Sequence, residues 1–142
     1  MRDVTVTSLT NLQNEVRYGS DHIFITDEPL EAGGDDAGPD PYSLLLAALG
    51  TCISMTTMLY ARRKGWPLER ITVRLRQQRV HFKDCQECEQ TKEGFIHRIG
   101  RSVAFEGNLS DEQRSRLQEI AYKCPIHKTL TSEIVVVDLQ EE

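Results

Sequence analysis

Four cysteines, at positions 52, 85, 88 and 124, are the side chains here best suited to covalent chemistry. A thiol acts as nucleophile or metal ligand only as the thiolate, so each depends on what shifts its pKa. Cys52 falls about three turns into a stretch that reads as a helix, where a cysteine by itself behaves as a small hydrophobe. The helix dipole fades within the first turn, so a reactive Cys52 needs a cation delivered by another segment. Cys124 closes the apolar stripe Leu117, Ile120, Ala121 and Cys124, and so points inward as well. Two inward cysteines on different elements can meet, yet their separation in sequence neither requires nor forbids it.

Cys85 and Cys88 form a C-x-x-C within Asp84-Cys-Gln-Glu-Cys-Glu89. Zinc needs two further ligands, and His81 and His97 are available. A redox C-x-x-C normally opens a helix, which this acidic stretch does not resemble. Zinc ligation, a redox or regulatory disulfide, and bystander thiols all stay open. His127 follows Cys124-Pro125-Ile126 and could either tune that cysteine or bond a carbonyl near a helix end. Trp66, after Gly65, reads as a packing anchor.

The elements that must position these residues can be laid out from pattern and punctuation. Val4–Ser8, Asn14–Tyr18 and His22–Thr26 have strand character, with Gly19-Ser20-Asp21 as the turn between the last two. Residues 31–39 form a loop rich in Gly and acid. Asp40-Pro41 starts a helix, because Asp caps free amides and Pro suits the first helical position. Arg62, Arg63 and Lys64 complement its negative end, Gly65 takes the left-handed stop and Pro67 prevents continuation. This predicts one helix over 41–64, roughly 35 Å long. Leu44–Leu49 is apolar all round, which predicts burial on every side and a central position. Ile71–Phe82 and Ile96–Phe105 read as a long hairpin with its polar tip at 83–93. Ser110 and Gln113 form a capping box for a second helix, which Pro125 ends. Ile134–Leu139 reads as a final strand. The order predicts a single α+β domain over 1–142, with antiparallel sheet wrapped around two main helices.

Composition narrows the classes. Hydrophobic content of 39% and charged content of 27% suit a globular chain, and the net charge of −5 argues against a nucleic-acid partner. Met1-Arg2-Asp3 leads into the alternating Val4-Thr5-Val6-Thr7 rather than into a signal core. No apolar run approaches the roughly eighteen residues of a membrane span, so no membrane partner is expected. A reducing cytoplasm is the expected compartment, where thiols are more often catalytic, metal-bound or inert than bridged.

At Cys52 and Cys124 the sequence resembles the osmotically inducible protein C and organic hydroperoxide resistance superfamily (OsmC and Ohr). Gly38-Pro-Asp-Pro-Tyr-Ser-Leu-Leu-Leu-Ala-Ala-Leu-Gly-Thr-Cys52 resembles its first cysteine motif, and Lys123-Cys-Pro-Ile-His-Lys-Thr-Leu130 its second, a Cys-Pro after a helix. The hairpin, the Gly-Asn-Leu-Ser before the second helix and the closing strand match in order, so the resemblance covers nearly the whole chain. Its D-E-P, G-G and D-P-Y elements are closest to the OsmC-like branch. The resemblance implies an OsmC-like fold and an intertwined homodimer, with active sites at the subunit interface. It implies a thiol-dependent peroxidase with no cofactor, an organic hydroperoxide as substrate and a dithiol as reductant. Cys52 would become a sulfenic acid and Cys124 would condense with it to a disulfide. Arg17 is the match for the family's thiolate-supporting Arg. Where relatives carry an acid after the Pro, this chain has Tyr42 and Ser43, which leaves Glu28 or Glu15 to orient Arg17. That departure keeps open a non-enzymatic redox-sensing or small-ligand-binding module on the same fold. A zinc-stabilised structural protein using Cys85 and Cys88 is a third reading.

Overall fold

The computed structural model describes residues 2–86 and 93–140. They form an α+β fold of two compact units, residues 1–47 and 48–142. In the first unit β1 (Val4–Ser8), β2 (Asn14–Tyr18) and β3 (His22–Thr26) make an antiparallel meander. Arg17 faces Ile23 and Asn14 faces Thr26 across β2 and β3, and Gly19 turns the chain between them at φ 63°. The segment after β3, read as a loop rich in Gly and acid, is held in large part by one side chain. The Asp27 carboxylate accepts the amide hydrogens of Glu28, Asp35 and Ala37. Burial pushes its pKa up, but the three amides outweigh burial and leave Asp27 below the ordinary carboxylate value.

α1 (Pro41–Lys64) begins and ends where its punctuation predicts. Gly65 stops it in the left-handed conformation, φ 69°, and the Trp66 amide bonds back to Ala61. Burial on every side is not what the chain shows. Leu49, Ile53, Thr57 and Ala61, spaced four apart, form one buried face, while Met55 is 64% exposed and Leu59 56%. An apolar circumference makes burial possible, but neighbouring elements decide which face receives it. α1 also corrects the expectation of no span-like segment. An 18-residue stretch of it has a mean hydropathy of 1.7, so the helix is long and apolar enough to cross a membrane by those two measures. Its buried face joins the second unit's core.

That unit is built on a hairpin, β4 (Arg70–His81) and β5 (Phe95–Glu106), running in register from Arg70 opposite Glu106 to His81 opposite Phe95. Ile71, Val73, Leu75 and, on β5, Val103 and Phe105 share its core side, as the two-residue period requires. α2 (Asp111–Ala121) opens with the expected capping box, Ser110 and Gln113 each bonding the other's backbone. Pro125 does not end this helix. α2 stops at Ala121, and Pro125 instead opens a short helix, α3 (Pro125–Leu130), at the first-turn position where its missing N–H is harmless. Ile134–Leu139 forms no strand. It pairs with no strand among the described residues, with Val136 92% and Leu139 91% exposed; β-propensity alone does not make a strand without a neighbour to complete its hydrogen bonds.

Candidate functional site

The residues that bring two distant cysteines together lie on α2 and β5. Arg114 donates from both guanidinium nitrogens to the carbonyls of Phe105 and Gly107, at 2.6 and 2.9 Å. Gln118 reaches the Val103 carbonyl at 3.1 Å, and Arg101 donates to the Ala121 carbonyl at 2.8 Å. These bonds lay α2 antiparallel along β5, and the fully buried Leu117 seats it from within. Cys124 is thereby carried to the α1 side of the hairpin.

There Cys124 shares one apolar cluster with Leu49, Ile53 and Ala121, and Cys52 packs against the same cluster. Both are free thiols. Cys124 is fully buried, and burial pushes its pKa up; the Cys52 thiol, hydrogen-bonded to it, pushes the same way. Amide hydrogens of His127 and Ile126 act against this without reversing it. Cys124 thus stays a neutral thiol, able to offer its S–H to a neighbour. Cys52 is half-buried and lies 3.9 Å from the Thr56 hydroxyl, one turn along α1. It also belongs to a stripe of α1, with Ala48, Met55 and Leu59, that the chain leaves largely uncovered. Chemically this is a pair of free thiols, one approachable and one shielded.

His127 meets Cys124 through its backbone, its N–H lying 3.5 Å from the sulfur, while its ring sits edge-on to Tyr122. Trp66 is the packing anchor its position suggests, edge-on to Tyr60 in a second cluster with Leu117 and Phe105.

Arg17 lies in the first unit, where its guanidinium pairs with Glu15. Of the two acids considered for orienting it, Glu15 and not Glu28 holds this ion pair. Residues two apart on a strand share a face, so Glu15 stands beside Arg17 on β2. Glu28 lies beyond the end of β3, and the register puts Asn14, not Arg17, opposite Thr26. Ser43, one of the two residues after Pro41, spends its hydroxyl on the Asp40 carboxylate at the start of α1. That bond comes first among those that, with the amides of Ser43, Tyr42 and Asp40 itself, hold Asp40 below the ordinary carboxylate range despite partial burial.

The zinc alternative does not assemble among the described residues, where no three His, Cys, Asp or Glu side chains converge. His97 Nδ1 is engaged by Gln77 at 2.6 Å, and His81 Nδ1 accepts the Lys83 amide. Cys85 is disulfide-bonded and so offers no thiolate to a metal; Cys88 lies outside the described residues. One residue the sequence reading passed over is Arg101. Its signal was available, since Ile99, Arg101, Val103 and Phe105 alternate onto the core side of β5, which puts a charge in an apolar row.

A family model for OsmC-like protein matches residues 33–139. An OsmC-like protein from Mycoplasma pneumoniae superposes with a TM-score of 0.70 at 17% identity, covering 92% of this chain and 86% of that one. An organic hydroperoxide resistance protein OsmC from Legionella pneumophila gives 0.64 at 16% identity, covering 92% and 89%. The organic hydroperoxide resistance protein OhrB of Bacillus subtilis gives 0.55 at 19% identity, covering 92% and 90%. No curated protein is significantly similar in sequence. With a family match spanning both cysteine motifs and most of the chain, on a fold shared with these structures, this chain belongs to the OsmC-like protein family.

Proposed function

We propose that this protein reduces organic hydroperoxides, with Cys52 as attacking thiolate and Cys124 as resolving thiol. The observation that carries the reading is the meeting of these two free thiols in one cluster, from elements far apart in the chain. The names of two structural relatives, both organic hydroperoxide resistance proteins, support the substrate class.

In the first step the Cys52 thiolate attacks the peroxide oxygen distal to carbon. The O–O bond breaks, Cys52 becomes a sulfenic acid, and the alkoxide takes up a proton and leaves as the alcohol. The Cys124 sulfur then attacks the sulfenic sulfur; an S–S bond forms and water departs. A dithiol reopens the bridge through a mixed disulfide and is itself oxidised. The burial that keeps Cys124 neutral suits a thiol held in reserve until Cys52 is oxidised. Arg17, oriented by Glu15, is the cation assigned to hold the Cys52 thiolate.

The working form is a homodimer in a reducing, cytoplasmic compartment. Ala48, Cys52, Met55 and Leu59 recur at spacings of four, three and four, a pattern that suits the seam of a helix pair. The unpaired segment Ile134–Leu139 has the composition of a strand that a second copy can complete.

The test is consumption of an organic hydroperoxide with a dithiol. Wild type should turn over, Cys52→Ser should not, and Cys124→Ser should stop after one turnover with a trappable sulfenic acid. Equal slow consumption by wild type and Cys52→Ser would remove the enzyme reading. The engagement of Ser43 with Asp40, where relatives carry an acid, favours a second reading as a redox sensor. A Cys52–Cys124 disulfide that forms under mild peroxide without dithiol-driven turnover would select it.

A further inference from the structure

Arg101 lies opposite Leu75 on the core side of the hairpin, in a row with Val103 and Phe105. Its Nη1 holds the Ala121 carbonyl, but its Nη2 is buried and has no hydrogen-bond partner among the described residues. Buried donors of this kind call for an acceptor, and a guanidinium calls for an anionic one. The cover over Arg101 is the Tyr122 ring, whose centre is 3.8 Å from the guanidinium carbon. Tyr122 is itself 62% exposed, so little packing holds it there.

Beside this pair is a cavity of about 420 Å³, which Arg101 and Tyr122 line together with Leu49, Ile99, His127 and Leu130. Its size is within the range used for small organic ligands. Three of its walls, Leu49, Ile99 and Leu130, are apolar residues of the thiol cluster. The cavity thus has a cationic end and an apolar side. A guanidinium fork matches the two oxygens of a carboxylate, and the apolar wall excludes ligands that are charged throughout.

We infer that this cavity binds a small organic carboxylate. The acid group pairs with Arg101 as the Tyr122 ring swings aside, and the hydrocarbon chain lies along Leu49, Ile99 and Leu130. The cavity borders the thiol cluster through these three residues, but binding there uses neither thiol and needs no peroxide to be seen.

The experiment is a titration of the full-length reduced protein with hexanoate, hexan-1-ol and inorganic phosphate, followed by backbone and side-chain NMR. Hexanoate should bind saturably and about tenfold or more tightly than either comparator, as expected when a charge-assisted pair is gained. Its shift changes should concentrate at residues 97–101 and 122–131, and Arg101→Gln should erase the preference over hexan-1-ol. Equal affinity for hexanoate and hexan-1-ol would overturn the inference, as would phosphate binding as tightly as hexanoate. So would shift changes centred elsewhere, a result readable on the wild-type chain even if Arg101→Gln fails to fold. Because the readout involves no peroxide, its failure leaves the thiol reading standing, and the reverse also holds.

Discussion

Replacing Cys124 by alanine should flatten the alkaline limb of this protein's stability. In the fold the thiol is fully buried, and burial, then the hydrogen-bonded Cys52 thiol, raises its pKa. In the unfolded chain it titrates near the ordinary thiol value of about 8.5. The folded value is the higher one. Stability from the neutral thiol is therefore complete below the unfolded pKa and is lost as the pH rises toward and through the folded pKa. Within that window the unfolded state releases a proton that the folded state keeps, so the unfolding free energy falls by up to about 1.4 kcal/mol per pH unit. The assay is urea unfolding of reduced wild type and Cys124→Ala at one protein concentration, between about pH 7.5 and about pH 9.5. At the lower pH wild type should be the more stable, because alanine leaves part of the sulfur's volume unfilled. By the upper pH the gap should have narrowed by up to about 1.4 kcal/mol. Tyrosines and lysines titrate in both proteins and cancel in the comparison. Parallel curves, or a gap that widens with pH, would refute the claim that burial and the neighbouring thiol hold Cys124 neutral.

Four further substitutions probe the scaffold and the assigned cation. Ser110→Ala removes the cap of α2 and should lower stability by about 1 kcal/mol in urea unfolding, with peroxide consumption unchanged. Gly107 has φ 145°, and a Cβ there would lie 2.1 Å from the Pro67 carbonyl oxygen. Gly107→Ala should thus destabilise by more than about 2 kcal/mol, whereas Gly65→Ala, left-handed but in open space, should cost about 1 kcal/mol. The Arg17–Glu15 pair is largely exposed on the Arg side, so Arg17→Gln should change stability by less than about 1 kcal/mol. On the proposed mechanism the same variant should lower the peroxide rate at least about tenfold through loss of the thiolate's cation, and an unchanged rate would take Arg17 out of the site.

How much of this was legible beforehand differs by element. Asp40-Pro41 and Gly65 marked both ends of α1 because helix termini are chemical events: amides need a cap, and the chain needs a residue tolerant of positive φ. The Ser110–Gln113 box and the hairpin's two-residue period were readable for the same reason. Pro125 was read as a stop but proved to be a start. Proline is compatible with both, and the turn through Tyr122 and Lys123 that separates them carries no strong local signal.

The sequence by itself determined both ends of α1, the start of α2 and the places of the five strands, since caps, turns and periodicity act within a few residues of backbone. Only the tertiary structure decided which face of α1 is buried, that Glu15 rather than Glu28 pairs with Arg17, and that Ile134–Leu139 pairs with no strand among the described residues. The meeting of Cys52 and Cys124 is of the second kind. It depends on Arg101, Arg114 and Gln118 fastening α2 along β5, a set of contacts between segments far apart in sequence. Local propensities set the shape of each piece, while side-chain fit between distant pieces determines which thiols come within reach.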